Sequence, residues 1–188
     1  SINAGMSKIR IAINGFGRIG RLALRAAIEM GRDDIEFVAF NSLSEATTDA
    51  HLFKYDSAHG RFQGDVEADG KDIIINGKRI KGIGLRDPSQ LGWDSLGVDV
   101  VMECTGKFRT RSDAALHLDA GAKKVLISAP GKDEDISVVY GVNHKDLKSS
   151  HVIVDNASCT TNCLAPVAYV LDKEIGIEHG FMTTIHSY

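Results

Sequence analysis

Ile9-Arg10-Ile11-Ala12-Ile13-Asn14-Gly15-Phe16-Gly17-Arg18-Ile19-Gly20-Arg21 is the stretch that decides the fold. Its first five residues form a short, largely β-branched apolar run, which predicts a buried strand. The run breaks at Asn14-Gly15. Ile19, Leu22, Ala23, Ala26, Ala27 and Met30 then recur at three- and four-residue spacing, which predicts a helix. Gly31 is placed to stop that helix, and Ile35 to Phe40 reads as a second buried strand. Strand, glycine-rich turn, helix, strand makes a unit whose two strands run parallel. The turn holds Gly15-x-Gly17-x-x-Gly20. Glycines so spaced let the backbone turn tightly, approach a pyrophosphate and pack helix on strand, while the helix N-terminus faces the anion. The motif alone is common, but here it follows a strand directly and opens a helix, the context expected of a dinucleotide-binding turn. Arg18 is the candidate phosphate contact. A plain solvated helix position is the alternative for it and for Arg21.

Working outward, Ala46 to Phe53 predicts a short helix. Asn76-Gly77 between apolar runs predicts a small antiparallel hairpin within residues 65–85. Val98 to Glu103, Lys124 to Ser128, Val138 to Val142 and Val152 to Val154 read as strands, with a helix over Ser112 to Ala120. After Ser158 a helix carries Leu164, Val167, Ala168 and Leu171, and Phe181 to Ile185 reads as a last strand. Alternating strands and helices predict an α/β fold, a Rossmann-type doubly wound parallel sheet.

The second strand of such a unit is expected to end in an acid that accepts from the adenosine ribose, about 20 residues past the glycines. Asn41-Ser42 stands there instead, with Ser42 22 positions beyond Gly20, and Glu45 falls on the following loop. Without the carboxylate that would repel a 2′-phosphate, NAD and NADP both remain open.

Composition narrows the classes. Lysine plus arginine number 22 against 25 aspartate plus glutamate, a formal net charge of −3. That balance argues against a general nucleic-acid binder. No run reaches the ~18 apolar residues of a membrane span. Glycine, at 19 residues with only 3 prolines, suggests an ordered chain with tight turns. Ser1 to Gly5 before Met6 reads as a vector-derived remnant. Three cysteines, an odd number, fit the reduced thiols of a cytoplasmic protein better than a disulfide framework. The seven histidines are scattered, with no HxxxH or CxxC pair, so no metal site is expected.

Ser158-Cys159-Thr160-Thr161-Asn162-Cys163 falls at a strand-to-helix junction. A cysteine at a helix N-terminus has its thiol pKa lowered by the dipole and free amides, and a neighbouring imidazole lowers it further. His186 closes the last predicted strand. Cys163 and Cys104 fit the plainer role of small buried residues.

Together these segments resemble the glyceraldehyde-3-phosphate dehydrogenase family. The matching stretches are Asn14 to Arg21, Lys54 to Phe62, Ile127 to Gly131, Asn156 to Pro166 and Thr183 to Tyr188, in the family's order. The resemblance implies a dinucleotide-binding domain over residues 6–156 and the start of an α+β catalytic domain over 157–188. It implies Cys159 as nucleophile and His186 as its base, with Ser158 and Thr160 beside Cys159 as substrate-binding hydroxyls. Around the cofactor it implies Gly15, Phe16, Gly17, Arg18, Ile19, Asn41, Ser42, Arg86, Thr105, Phe108 and Ser128. It further implies oxidation of glyceraldehyde 3-phosphate to the acyl phosphate with inorganic phosphate and NAD or NADP, in a cytoplasmic homotetramer. Two other readings are erythrose-4-phosphate dehydrogenase and a dinucleotide-binding module without turnover. Family members supply further phosphate-binding residues beyond the histidine strand, so the 188 residues alone are expected to bind cofactor with little turnover.

Overall fold

A computed structural model of the chain describes residues 8–31, 33, 35–57, 60–129, 135–141 and 150–155. The elements predicted after Ser158 lie outside these residues. Strand β1 (Ile9–Asn14) leads through the glycine turn into helix α1 (Arg18–Glu29) and strand β2 (Ile35–Asn41). Helix α2 (Ala46–Lys54) precedes a two-residue ladder, β3 (Tyr55–Asp56) with β4 (Gly60–Arg61). Three strands follow as a meander, β5 (Val66–Asp69), β6 (Asp72–Ile75) and β7 (Lys78–Ile83). Two 3-10 turns, Pro88–Gln90 and Trp93–Leu96, bring the chain to β8 (Val100–Glu103), α3 (Arg111–Asp119) and β9 (Lys124–Ala129). Strands β10 (Asp135–Gly141) and β11 (Ser150–Asp155) end the described part.

Nine of the described strands share one sheet in the order β11-β10-β9-β8-β1-β2-β7-β6-β5. The inner run β9-β8-β1-β2-β7 is parallel throughout. Its flanks are antiparallel, with β10 and β11 on one side and β6 and β5 on the other. The expected parallel sheet is therefore the centre of a mixed one. The predicted hairpin forms at Asn76-Gly77, both with positive φ (51° and 80°), as a two-residue loop with Ile75 opposite Lys78. The hairpin belongs to the main sheet, because β7 pairs in parallel with β2.

Alternation along the strands builds two cores. Ile11, Ile13, Phe40, Met102 and Leu126 pack against Ile19, Ala23 and Leu24 of α1 and Ala46, Ala50 and Phe53 of α2. Their strand neighbours face the other way. Ala12, Ala39 and Val101 pack with Trp93, Val98 and Ala120, and Val125 and Ile127 pack with Ala114 of α3. Helices thus cover both faces, which is why the inner strands read as unbroken apolar runs. In β2 the pairing with β1 steps from Phe37 to Ala39, leaving Val38 as one extra residue. Val38 and Ala39 both turn to the second core, and Phe40 returns to the first. A bulge there keeps the rest of β2 in register with its facing pattern.

Candidate functional site

The C-terminal ends of β1, β2 and β8 open onto a cleft of about 400 Å³, where a doubly wound sheet binds its ligands. Each glycine of the turn serves a separate purpose. Gly15 has φ +90°, and a Cβ added there would stand 2.7 Å from Thr105 Cγ2 and 2.8 Å from the Thr105 nitrogen. A Cβ at Gly20 would stand 2.5 Å from the Gly15 oxygen and 2.9 Å from Ile13 Cγ2, so this glycine lets helix pack on strand. A Cβ at Gly17 would meet nothing within 4 Å, and Gly17 lines the cleft as the N-cap of α1. No side chain caps that helix and no acid sits in its first turn. Its leading amides and positive dipole end are left to an anion.

Across the top of the sheet runs a polar rung. Asn41, Asn14 and Glu103 are register partners on adjacent parallel strands. Asn41 Nδ2 donates to Asn14 Oδ1 at 2.8 Å, and Asn14 Nδ2 donates to Glu103 Oε1 at 2.5 Å. Glu103, 1% exposed, also accepts from the Thr105 amide and hydroxyl on Oε2, at 2.8 and 2.6 Å. His117 of α3 reaches Glu103 Oε1 from below at 3.0 Å through Nε2. Its Nδ1 faces the Trp93 indole nitrogen at 3.0 Å. An indole N–H can only donate, so Nδ1 accepts and Nε2 carries the ring proton toward Glu103. Four donors therefore meet the two Glu103 oxygens, the pattern of a buried carboxylate satisfied without a cationic neighbour.

The sequence-predicted cofactor residues divide. Gly15, Phe16, Gly17, Asn41, Ser42, Arg86, Thr105 and Phe108 line the cleft together. Phe16 does so although its own side chain is 4% exposed and packs on Phe40, ring centres 4.8 Å apart. Asn41 is bound up in the protein, its amide also exchanging bonds with the Leu85 backbone at 2.7 and 3.0 Å. Arg18 and Ile19 are outside the lining. Ile19 is a core residue, and the Arg18 guanidinium points to Asp56 Oδ1 at 4.0 Å. Ser128 lies on β9. Ser158, Cys159, Thr160 and His186 fall outside the described residues. Cys104 is buried in the main core, as expected of a small apolar residue.

Sequence reasoning missed Asn14, Glu103, His117 and Asp49. Glu103 carried a signal, as the lone charge closing the apolar run Val98–Glu103 apart from Asp99. Asp49 on α2 carried none, because a polar residue in a short helix normally faces water. Here it is 2% exposed and lines the cleft beside Ser42 and Arg21. Burial pushes its carboxyl up from its ordinary value, against the opposing pulls of the Ser42 hydroxyl and the Arg21 guanidinium. Burial likewise lowers the Arg21 pKa, with Asp49 and Asp56 opposing. Among the described residues no cluster of three or more histidines, cysteines and acids could hold a metal. None of the described helices is long and apolar enough to cross a membrane.

Comparison with known proteins decides the family. Residues 9–111 match the NAD-binding domain of glyceraldehyde 3-phosphate dehydrogenase, and residues 158–188 match its C-terminal domain. The chain belongs to the glyceraldehyde 3-phosphate dehydrogenase family. Its relatives of that name include the Pseudomonas aeruginosa protein, 61% identical over 181 residues, which are 96% of this chain and 54% of the relative. Those of Xanthobacter flavus and Geobacillus stearothermophilus are 58% identical over 180 residues and 56% over 182. The chain covers 96% of itself but 54% and 53% of these two relatives, so it spans about half the length of the curated proteins it matches. In the dehydrogenase family the first matched domain is named for NAD, which agrees with a glycine turn opening onto an uncapped helix.

Proposed function

We propose that the protein containing this chain is a phosphorylating glyceraldehyde-3-phosphate dehydrogenase using NAD or NADP. The observation that carries the reading is the cleft itself. An uncapped helix N-terminus, an open Gly17 and the strand ends of a doubly wound sheet meet in one place, in a chain of this family. These residues fit a dinucleotide. Gly15, Gly17 and the first turn of α1 would hold its pyrophosphate, and Ser42, Arg86, Thr105 and Phe108 its adenosine half. When bound, the nicotinamide supplies the hydride acceptor.

The chain's own residues supply the rest. Cys159 as thiolate adds to the aldehyde carbon, and the product is a thiohemiacetal. His186 takes the hydroxyl proton as the carbon is oxidised, leaving a thioester on Cys159. Inorganic phosphate, held by Ser158 and Thr160, attacks that thioester, and Cys159 leaves as thiolate with the acyl phosphate released. Covalent capture conserves the oxidation free energy that hydrolysis would dissipate. Residues 157–188 open the catalytic domain in this reading, after a cofactor domain over 6–156. The full-length enzyme works as a cytoplasmic homotetramer, a state inferred from the family alone.

Ser42 in place of the usual acid relaxes discrimination against NADP. The cleft shares Ser42, Leu43, Ser44 and Arg86 with an adjoining depression of about 510 Å³ that Lys71 and Glu45 also line, so two cations and one acid stand near the site of a 2′-phosphate.

Full-length protein assayed for reduced cofactor with glyceraldehyde 3-phosphate, with and without phosphate, tests the activity. Steady turnover that needs phosphate and disappears in Cys159→Ser is the expected result. Faster turnover of erythrose 4-phosphate would shift the substrate, and no turnover of either sugar would overturn the activity. The 188 residues alone are expected to bind cofactor and turn over orders of magnitude more slowly than an intact relative.

A further inference from the structure

Residues 104–110 connect β8 to α3, and Cys104, Thr105, Lys107 and Phe108 among them line the cleft. The two sides of that loop are tied across its base. Glu103 ends β8 just before the loop, and His117 lies within α3 beyond it. Their side chains, 1% and 0% exposed, meet at 3.0 Å through Oε1 and Nε2. His117 comes from the layer in which Ala114 of α3 packs on Val125 and Ile127. Burying a polar ring there costs free energy unless its nitrogens are bonded, and both are. Trp93 donates to Nδ1 at 3.0 Å, so Nε2 carries the proton that Glu103 accepts.

We propose that His117, acting through Glu103, is a positioning residue that holds the 104–110 loop, and Thr105 above all, against the adenosine half of the cofactor. The inference rests on the dinucleotide reading above. The terminal torsion of a glutamate is soft, so the plane of a buried carboxylate is set by its donors. On Glu103 they arrive from three directions. Asn14 reaches Oε1 along the strand ends, His117 reaches Oε1 from the far layer, and the Thr105 amide and hydroxyl reach Oε2. Without His117, Oε1 keeps Asn14 alone, the loop loses the tie across its base, and the carboxylate can swing away from Thr105. Thr105 has most to lose. Its hydroxyl gives its one proton to Oε2 and accepts from the Lys107 amide at 3.1 Å, so Glu103 also holds the next turn of the loop. A Cβ on Gly15 would stand 2.7 Å from Thr105 Cγ2, so a shift of Thr105 also reaches the glycine turn.

Calorimetric dissociation constants for NAD and AMP, measured on the chain and on His117→Phe and His117→Gln, test this. Phenylalanine fills the space with neither donor nor acceptor. Glutamine offers an amide N–H to Glu103 and a carbonyl to Trp93. In His117→Phe both constants should rise about tenfold, which is about 1.4 kcal/mol. In His117→Gln they should stay within about threefold of the unmodified chain. Urea unfolding of the same variants separates binding from folding. A His117→Phe chain that is less stable but binds both ligands unchanged overturns the proposal, because a merely structural histidine gives that result. Equal weakening in both variants overturns it too. A measurement without substitution covers a His117→Phe chain that does not fold. The His117 Nε2–H resonance of the unmodified chain should shift on titration with AMP, and a resonance indifferent to saturating AMP overturns the proposal. In each of these cases the unmodified chain still binds NAD, so the dinucleotide reading stands. An unmodified chain that binds neither NAD nor AMP overturns both.

Discussion

Asn14 and Glu103 are 89 residues apart and hydrogen-bonded at 2.5 Å, as register partners at the last rung of two adjacent parallel strands. Through this bond the glycine turn after β1 and the Thr105 loop after β8 are held at a set spacing. His117 and Trp93 brace it from the opposite layer. Glu103→Gln keeps the size of the side chain but sets an amide NH2 against donors that now meet a carboxylate. Its expected cost is about 2–3 kcal/mol, read from urea unfolding. Cofactor affinity should fall with it, as glutamine keeps one acceptor oxygen and either the Asn14 or the Thr105 side loses its partner.

Gly17 and Gly20 separate binding from folding. Gly17 has φ −79° and open space where a Cβ would go, so Gly17→Ala should change stability by less than about 1 kcal/mol. Its methyl group would stand where backbone meets pyrophosphate, and NAD affinity should drop at least about tenfold. Gly20→Ala drives a methyl into the Gly15 carbonyl and Ile13, which should cost about 1–3 kcal/mol. Unfolding midpoints and NAD titrations on the two variants should move in these opposite patterns.

Asp49 makes stability depend on pH in a defined direction. Burial raises its folded-state pKa above the unfolded value of about 3.9, so the folded chain holds more protons between the two values. Stability from this group is present below the unfolded value and lost as pH rises through the folded one. Asp49→Asn should therefore raise the melting temperature at neutral pH, with the gain shrinking toward zero in acid. Melting curves of both proteins across pH 4–8 check the sign, because other titrating groups cancel in the comparison.

Helix α3, which carries His117, starts with a reciprocal cap. Thr110 Oγ1 accepts from the Asp113 amide at 3.2 Å, and Asp113 Oδ2 accepts from the Thr110 and Arg109 amides at 3.0 and 2.9 Å. The Thr110 amide bond leads in holding the Asp113 carboxyl below its ordinary value. That stabilisation is present above the unfolded pKa and lost as pH falls through the folded one. Thr110→Ala should cost about 1 kcal/mol by urea unfolding, with cofactor affinity little changed.

Local patterns were enough for the elements near the site. The run Ile9–Ile13, its glycine spacing and the helical repeat from Ile19 are properties of neighbouring residues, and each strand and helix they predict is present. Asn76-Gly77 likewise makes its hairpin, since a two-residue turn needs positive φ at both positions. Which strands become neighbours is different. Nothing local shows that β7 returns to pair with β2, or that β1 lies between β2 and β8. The roles of Phe16 and Ile19 shift for the same reason, because a motif position does not say whether its side chain faces ligand or core.

By itself the sequence determined the α/β class, the glycine turn and its helix, and the Cys159 and His186 segments that mark the family. Each is written in contiguous residues whose spacing or turn chemistry acts over a few bonds. Only the tertiary structure decided that Asn41, Asn14 and Glu103 form one rung, that His117 and Trp93 support it, and that Asp49 is buried beside Ser42. Those relations depend on strand order and on which layer covers which face. Both are set by burying apolar surface across the whole sheet, a long-range demand that no short stretch of the chain contains.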